Sequence, residues 1–290
     1  MNDQIDVLIP TCNRPGALAV TLAALIGQSH PSFRVVISDQ SDGTASYDAP
    51  EAVAAIRVLR LQGRDVKTLR NLPRRGLAHQ RQTLLDHARA PMALFLDDDV
   101  ILEADMLERM SRALHEARCG FIGCAVLGAS YAHDVRPHQQ AVEFWNEPVK
   151  PEHITPGDEQ WRRHLLHNAA NLWHVQRALG VTAEAPRLYK VAWVGGCVLY
   201  DTAKLRDAGA FSFWRDLPPS HCGEDVLAQL RVMARDGGAG LMPSGAWHQE
   251  LPTTVTERDV DAPFALDASR LPLAIAPGRV RAQIGSEVTP

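Results

Sequence analysis

Two periods of apolar and polar residues alternate along the N-terminal third of the chain. Short, mostly apolar runs at 5–9, 33–38 and 91–96 read as strands buried on both faces. Between them Leu18, Leu22, Leu25 and Ile26 recur at helical spacing, with Pro15 suited to the first helical position. Residues 56–61 predict a third strand, and 77–88 predict a helix that feeds the strand ending at Leu96. Pro10 stops the first strand, and Asp39-Gln40-Ser41-Asp42-Gly43 closes the second with strong turn chemistry. Strand and helix in alternation predict an α/β fold, a Rossmann-like and mostly parallel sheet with helices on both faces. Such sheets bind ligands beyond the carboxyl ends of their strands. Here those ends carry Thr11-Cys12-Asn13-Arg14, Asp39 and Asp97-Asp98-Asp99.

The pattern loosens in the second half. Residues 128–190 hold much of the His and Trp content and few apolar runs. Residues 161–179 predict one helix, with Leu165, Leu172 and Leu179 at heptad spacing. His164, His167 and His174 could share a face of it and resemble a metal box. Without neighbouring acids, a solvated or half-buried helix face is the better reading. Residues 191–200 predict two short strands around Gly195-Gly196, and His221-Cys222-Gly223-Glu224-Asp225-Val226 opens a helix with Leu227, Leu230 and Met233 on its apolar face. A strand at 240–242 and a Pro-Ser-Gly turn then lead to Trp247-His248. From Pro252 onward there is little period, which predicts an extended or partly disordered tail. The expected organisation is a first half at 1–127, a second half of the same domain at 128–250 forming a smaller acceptor-side region, and a tail at 251–290.

Charge and cysteine usage narrow the partners. A net charge of -4 gives no pull toward a polyanion, so nucleic acid is not an expected partner. The five cysteines (Cys12, Cys119, Cys124, Cys197, Cys222) are odd in number and lack a C-x-x-C pair. That favours reduced thiols in a cytoplasmic setting over disulfides or structural zinc. Residues 1–6 are polar, enter a strand at once and carry no signal-peptide pattern. No apolar stretch approaches the roughly 18 residues that would cross a bilayer. A soluble cytoplasmic protein without a transmembrane segment is expected, with peripheral membrane attachment left open.

The sharpest chemical feature is Phe95-Leu96-Asp97-Asp98-Asp99-Val100. Three adjacent carboxylates at a strand end repel one another unless something positive neutralises them. A divalent cation carrying phosphate oxygens would do so, because hard cations take carboxylate oxygen. A solvated acidic turn is the other reading of this segment taken alone.

Several pieces in order carry a resemblance: Ile9-Pro10-Thr11-Cys12-Asn13-Arg14, Gln28, Ser38-Asp39-Gln40-Ser41-Asp42-Gly43, Arg75-Gly76-Leu77-Ala78 with Arg81, Leu96-Asp97-Asp98-Asp99, Val194-Gly195-Gly196, and Gly223-Glu224-Asp225 at a helix start. In that order, over residues 4–250, the chain resembles a family 2 glycosyltransferase of the inverting, GT-A-fold type. It departs from the pattern in two places. Gln82 follows Arg81 where an Arg-Asn pair is usual, and the 128–190 segment exceeds the family minimum.

The resemblance implies a nucleotide-sugar donor, with uridine diphosphate the expected carrier, and a glycan, lipid-linked or small-molecule acceptor. It implies that Pro10, Thr11 and Asp39 hold the nucleobase, with Asn13 on the donor side, and that Arg14 and Arg81 meet phosphate or ribose. Asp97 would lie toward the ribose, Asp99 would ligate Mn²⁺ or Mg²⁺ in a DxD pattern, and Asp98 could share either role. His248 would be a further metal contact. Trp193, Trp214, Gly195 and Gly196 would flank the acceptor, since aromatic faces stack on sugar rings. Asp225 would be the base that accepts the acceptor's hydroxyl proton, with Glu224 orienting the acceptor or exchanging roles with it. A carboxylate at a helix N-terminus is kept ionised and oriented there, although acids are favoured in any first helical turn. Two other classes compete. A sugar-phosphate nucleotidyltransferase should open on a Gly-rich loop with Arg and Lys, whereas 10–16 has one glycine. A non-catalytic carbohydrate-binding protein would lack the acids at Asp97, Asp99 and Asp225.

Overall fold

The computed structural model describes residues 3–256 and 258–266. The expected α/β alternation is present. Strands β1 (Ile5–Thr11), β2 (Phe33–Asp39), β3 (Val66–Arg70) and β4 (Met92–Leu96) are interleaved with helices α1 (Pro15–Ile26), α2 (Pro50–Leu61) and α3 (Leu77–Asp86). After β5 (Val100–Leu102) come α4 (Met106–Ala117), β6 (Phe121–Gly123), β7 (Leu127–Gly128), α5 (Asn171–Ala178) and β8 (Arg187–Tyr189). The chain continues through β9 (Cys197–Asp201), α6 (Thr202–Asp207), β10 (His221–Cys222), α7 (Glu224–Asp236), β11 (Gly238–Met242), β12 (Ala246–His248), β13 (Val260–Asp261) and α8 (Ala262–Ala265).

The central sheet has eight strands in the order β3-β2-β1-β4-β9-β6-β11-β8. β3, β2, β1, β4, β6 and β11 run one way, and β9 and β8 run against them. The strands read as unbroken apolar runs because both faces are covered. Leu8, Val36, Ala93 and Phe95 bury against α3 and α7 on one face. Val7, Ile9, Val35, Ile37, Leu94 and Leu96 bury against α1, α2 and α4 on the other. Alternate residues of one strand therefore belong to two cores. A three-stranded sheet, β5-β12-β7, stands beyond the carboxyl end of β4. Its register pairs His248 with Val100, the residue after the acidic triplet.

Four expectations are corrected. Residues 56–61 belong to α2: Pro50 starts that helix, and Ala52, Ala55, Ile56 and Leu59 bury one helical stripe while Leu61 is exposed. The strand follows at β3. Residues 161–179 are not one helix but a 3₁₀ run (Glu159–His167) and then α5, broken where Ala169 takes φ 52°. Residues 191–200 contribute the single strand β9, because the chain through Gly195 and Gly196 turns irregularly into it. The described start of the tail carries β13 and α8, with β13 pairing to β10, so it is not merely extended. Residues 267–290 lie outside the described residues. The five cysteines are free thiols. Among the described residues no helix is long and apolar enough to cross a membrane.

Candidate active site

A cavity of about 950 Å³ opens beyond the carboxyl ends of β1 and β4. Pro10, Thr11 and Arg14 come to it from β1 and the following turn, and Asp97, Asp98 and Asp99 from the turn after β4. Arg81 comes from α3, Glu224 and Asp225 from the first turn of α7, and His248 from β12. These are donor-side, metal and catalytic candidates from distant stretches of sequence. The sheet brings them to one place.

The three carboxylates have different surroundings. Asp98 is buried; it accepts the Thr11 hydroxyl hydrogen at 2.6 Å, and its carbonyl accepts that of Thr21 at 2.8 Å. Burial, with the charges of Asp99 and Asp97, pushes its carboxyl up to about 7 against the opposing pull of Thr11 and Arg14. Asp99 Oδ2 lies 2.6 Å from Arg14 Nη1 and 3.5 Å from His248 Nε2. Gln249 N–H donates to the Asp99 carbonyl at 2.8 Å, which locks the end of β12 against the triplet. Asp97 is the most exposed of the three; it accepts from Arg81 Nη2 at 3.1 Å, and its N–H donates to the Gly196 carbonyl at 2.9 Å.

Arg81 is buried and cross-links the two halves of the cavity. Its Nε donates to Glu224 Oε1 at 2.8 Å while Nη2 holds Asp97. Burial alone would lower its pKa, but the carboxylates of Asp97, Glu224 and Asp225 outweigh that and hold it firmly charged. Glu224 is buried and committed to this pair. Asp225 is not. Its carboxylate faces the cavity, and among the described residues its hydrogen bond comes from the Val226 N–H at 2.9 Å. Burial and the Glu224 charge push it up to about 7 despite Arg81. The chain turns into α7 through Gly223 at φ 71°, where a side chain would strike Asp261 and Pro263.

Some expected site residues stand elsewhere. Asp39 is fully buried, and both oxygens are taken: Oδ1 by Ser41 N–H and Arg70, Oδ2 by the Ser41 hydroxyl and Ser46 N–H. It organises the loop after β2, and these four contacts occupy the carboxylate expected to meet the base. Asn13 lies at φ 56° with its amide on Asp42, outside the cavity wall. The Thr11 carbonyl is already used by Gln40 N–H and Gln80 Nε2. Trp193 is half-buried, stacked on the His164 ring at 5.7 Å, and Trp214 lies between Arg75 and Arg215; neither lines the cavity. Gly195 and Gly196 sit behind Asp97 rather than in the wall. His167 contacts the Tyr189 hydroxyl at 3.0 Å and is held down to about 4 by burial, while His164 bonds the Trp161 carbonyl.

Residues not foreseen complete the wall. Gln40, beside Asp39, is buried with its side-chain Nε2 unpartnered among the described residues, and Arg74 reaches the Gln40 carbonyl at 2.7 Å. Leu251, Thr253 to Thr256 and Arg258 cross the mouth. The turn Gln40 occupies was visible in sequence; the aperiodic Thr-Thr stretch gave no signal.

Among the described residues no group of three His, Cys, Asp or Glu side chains is placed to hold a metal ion. The chemistry of the Asp99–His248 pair nevertheless fits a divalent cation that takes its remaining ligands from a diphosphate and water. Mg²⁺ in such sites uses only one or two carboxylates.

The model of the family described as Glycosyl transferase family 2 matches residues 6–174, more than half of the chain. Among curated proteins none matches. Solved structures do, at the level of fold. TarS from S. aureus is 16% identical, with a TM-score of 0.52 over 84% of this chain and 36% of that one. TarS 1–349 in complex with UDP-GlcNAc is 16% identical, with 0.52 over 87% and 60%. The mannosyltransferase PcManGT from Pyrobaculum calidifontis, in complex with GDP-Man and Mn²⁺, is 17% identical, with 0.51 over 87% and 58%. The chain thus spans less than two thirds of these structures.

Proposed function

The chain belongs to glycosyl transferase family 2, and on that premise we propose an inverting, metal-dependent transfer of a sugar from a nucleoside diphosphate to an acceptor hydroxyl. The family match supports an enzyme that transfers a sugar over the nucleotidyltransferase and non-catalytic readings. One observation carries the finer proposal: Asp225 presents a carboxylate to the same cavity as the acidic triplet, while its neighbour Glu224 is bound by Arg81.

In this reading residues 1–127 supply the nucleotide-sugar half and 128–250 the acceptor half. Gln40 takes the place expected of Asp39 at the base, since its amide is unpartnered and Asp39 is saturated. Asp97, held by Arg81, faces the ribose. Asp99 and His248 would hold Mn²⁺ or Mg²⁺, which supplies charge neutralisation of the departing diphosphate when bound. Arg81 keeps Glu224 and Asp97 fixed on either side of the reacting centre. Asp225 accepts the proton of the attacking hydroxyl as the new bond forms, because a sugar hydroxyl is a poor nucleophile near neutral pH. Uridine diphosphate is the donor carrier we favour, supported by the fold shared with TarS, solved with UDP and UDP-GlcNAc, although PcManGT was solved with GDP-Man.

The test is a panel of nucleotide sugars incubated with Mn²⁺ and candidate acceptors, reading release of nucleoside diphosphate. Release that depends on a uridine donor and stops on chelation is expected. Undiminished release after exhaustive chelation would remove the metal role, and turnover of guanosine but not uridine donors would remove the donor assignment.

A further inference from the structure

One cation is already present in the metal-side corner of the cavity, and it belongs to the protein. Arg14 Nη1 lies 2.6 Å from Asp99 Oδ2 and 3.3 Å from Asp98 Oδ1, and Nη2 donates to the Pro252 carbonyl at the mouth. Its guanidinium is mostly covered, with a side-chain exposure of 14%. His248 Nε2 approaches the same Oδ2 atom of Asp99 at 3.5 Å. The oxygen that would meet a divalent cation is therefore the one that the arginine grips most closely. Two full positive charges within a few ångströms repel each other strongly where water is scarce. An arginine on that oxygen and a divalent cation cannot both be held there at full strength.

We propose that Arg14 is an exchangeable counter-ion for the acidic triplet, one that a divalent cation must displace from Asp99. Without metal it neutralises Asp98 and Asp99 and prevents the repulsion that two adjacent carboxylates would otherwise suffer. On metal entry Nη1 leaves Asp99. Nη2 remains anchored at Pro252, so the guanidinium stays at the cavity and becomes available to a phosphate oxygen of the donor. Arg14 is thus a positioning residue that sets the affinity for the cation and makes metal and diphosphate binding favour each other. The proposal rests on the reading of Asp99 and His248 as the metal-side pair.

The experiment measures Mn²⁺ binding to the full chain without nucleotide, by electron paramagnetic resonance of the free ion. Arg14→Gln should bind Mn²⁺ more tightly than wild type by about tenfold or more, the scale on which one adjacent charge biases an ionic equilibrium. Arg14→Lys, which keeps the charge, should stay near wild type. Equal or weaker binding by Arg14→Gln, or no Mn²⁺ binding by either protein, overturns the proposal. Should Arg14→Gln fail to fold, the wild type decides: the ¹⁵N guanidinium resonance of Arg14 should shift on adding Mg²⁺ alone, and an unmoved resonance at saturating Mg²⁺ refutes the exchange. The result is separable from the transfer reaction. Tighter Mn²⁺ binding by Arg14→Gln in a protein that turns over no uridine donor would uphold the exchange and reject only the proposed donor.

Discussion

Asp225→Asn tests the catalytic assignment and has two consequences of opposite sign. The side chain keeps its size and place in the first turn of α7 but can no longer accept a proton. Burial and the Glu224 charge hold the Asp225 carboxyl up at about 7 instead of the ordinary 3.8. Its folded-state pKa is raised, so the folded protein binds an extra proton between those values, and stability falls as pH rises from about 4 through about 7. At 1.36 kcal/mol per pH unit the full effect is roughly 4 kcal/mol, an upper bound because the Asp225 side chain lines an open cavity rather than a closed core. The neutral amide avoids that cost. At pH 8 the variant should be more stable than wild type by up to a few kcal/mol, and near pH 4 the advantage should vanish. Turnover should fall by roughly 10²–10⁴-fold while donor affinity holds. In the wild type, transfer should rise with pH through about 7, since only the carboxylate form accepts the proton. Chemical denaturation at pH 4 and 8 and single-turnover sugar transfer between pH 5.5 and 8.5 provide the assays. Wild-type turnover in Asp225→Asn would refute the reasoning, as would a rate independent of pH across 7. Glu224→Gln is the control: if it alone abolishes proton transfer, the base is the residue bound to Arg81.

Two further outcomes concern stability. Asp6 and Arg34 form a buried pair (2.7 and 2.9 Å) at the end of β1 and β2 remote from the cavity, so Asp6→Ala should cost about 3–5 kcal/mol by stranding a charge. Equilibrium denaturation should show that loss with Mn²⁺ affinity unchanged; a loss below about 1 kcal/mol would mean the pair is solvated. His167 is held down to about 4 by burial, so its folded-state pKa lies below the unfolded value and stability should decline as pH falls from about 6.5 toward 4. An imidazole NMR titration with a midpoint near 6.5 would contradict its burial.

The local pattern by itself determined the α/β class. Residues 5–9, 33–38 and 91–96 are mostly apolar without alternation, as strands of a sheet covered on both faces are, and Leu18, Leu22 and Leu25 mark the covering helix. The acidic triplet was visible as a contiguous run at a strand end, whereas Gly223-Glu224-Asp225, an ordinary acidic first turn of a helix taken alone, was singled out only by the resemblance. Where short runs suited both periods, as at 56–61, only packing could decide. There the buried stripe of α2 outweighed the β-branched content.

Only the tertiary structure shows which partners each charge meets. The resemblance named Asp225 as the base and left Glu224 able to exchange roles with it; what the sequence did not show is that Arg81 arrives from α3 and binds Glu224. Nor could it show that Asp39 is consumed by its own loop and by Arg70, or that Arg14 closes on Asp99. Strand and helix formation depend on residues a few positions apart, so their signal is written locally. The protonation and availability of a carboxylate depend on burial and on charges within a few ångströms, brought there by segments far apart in the chain.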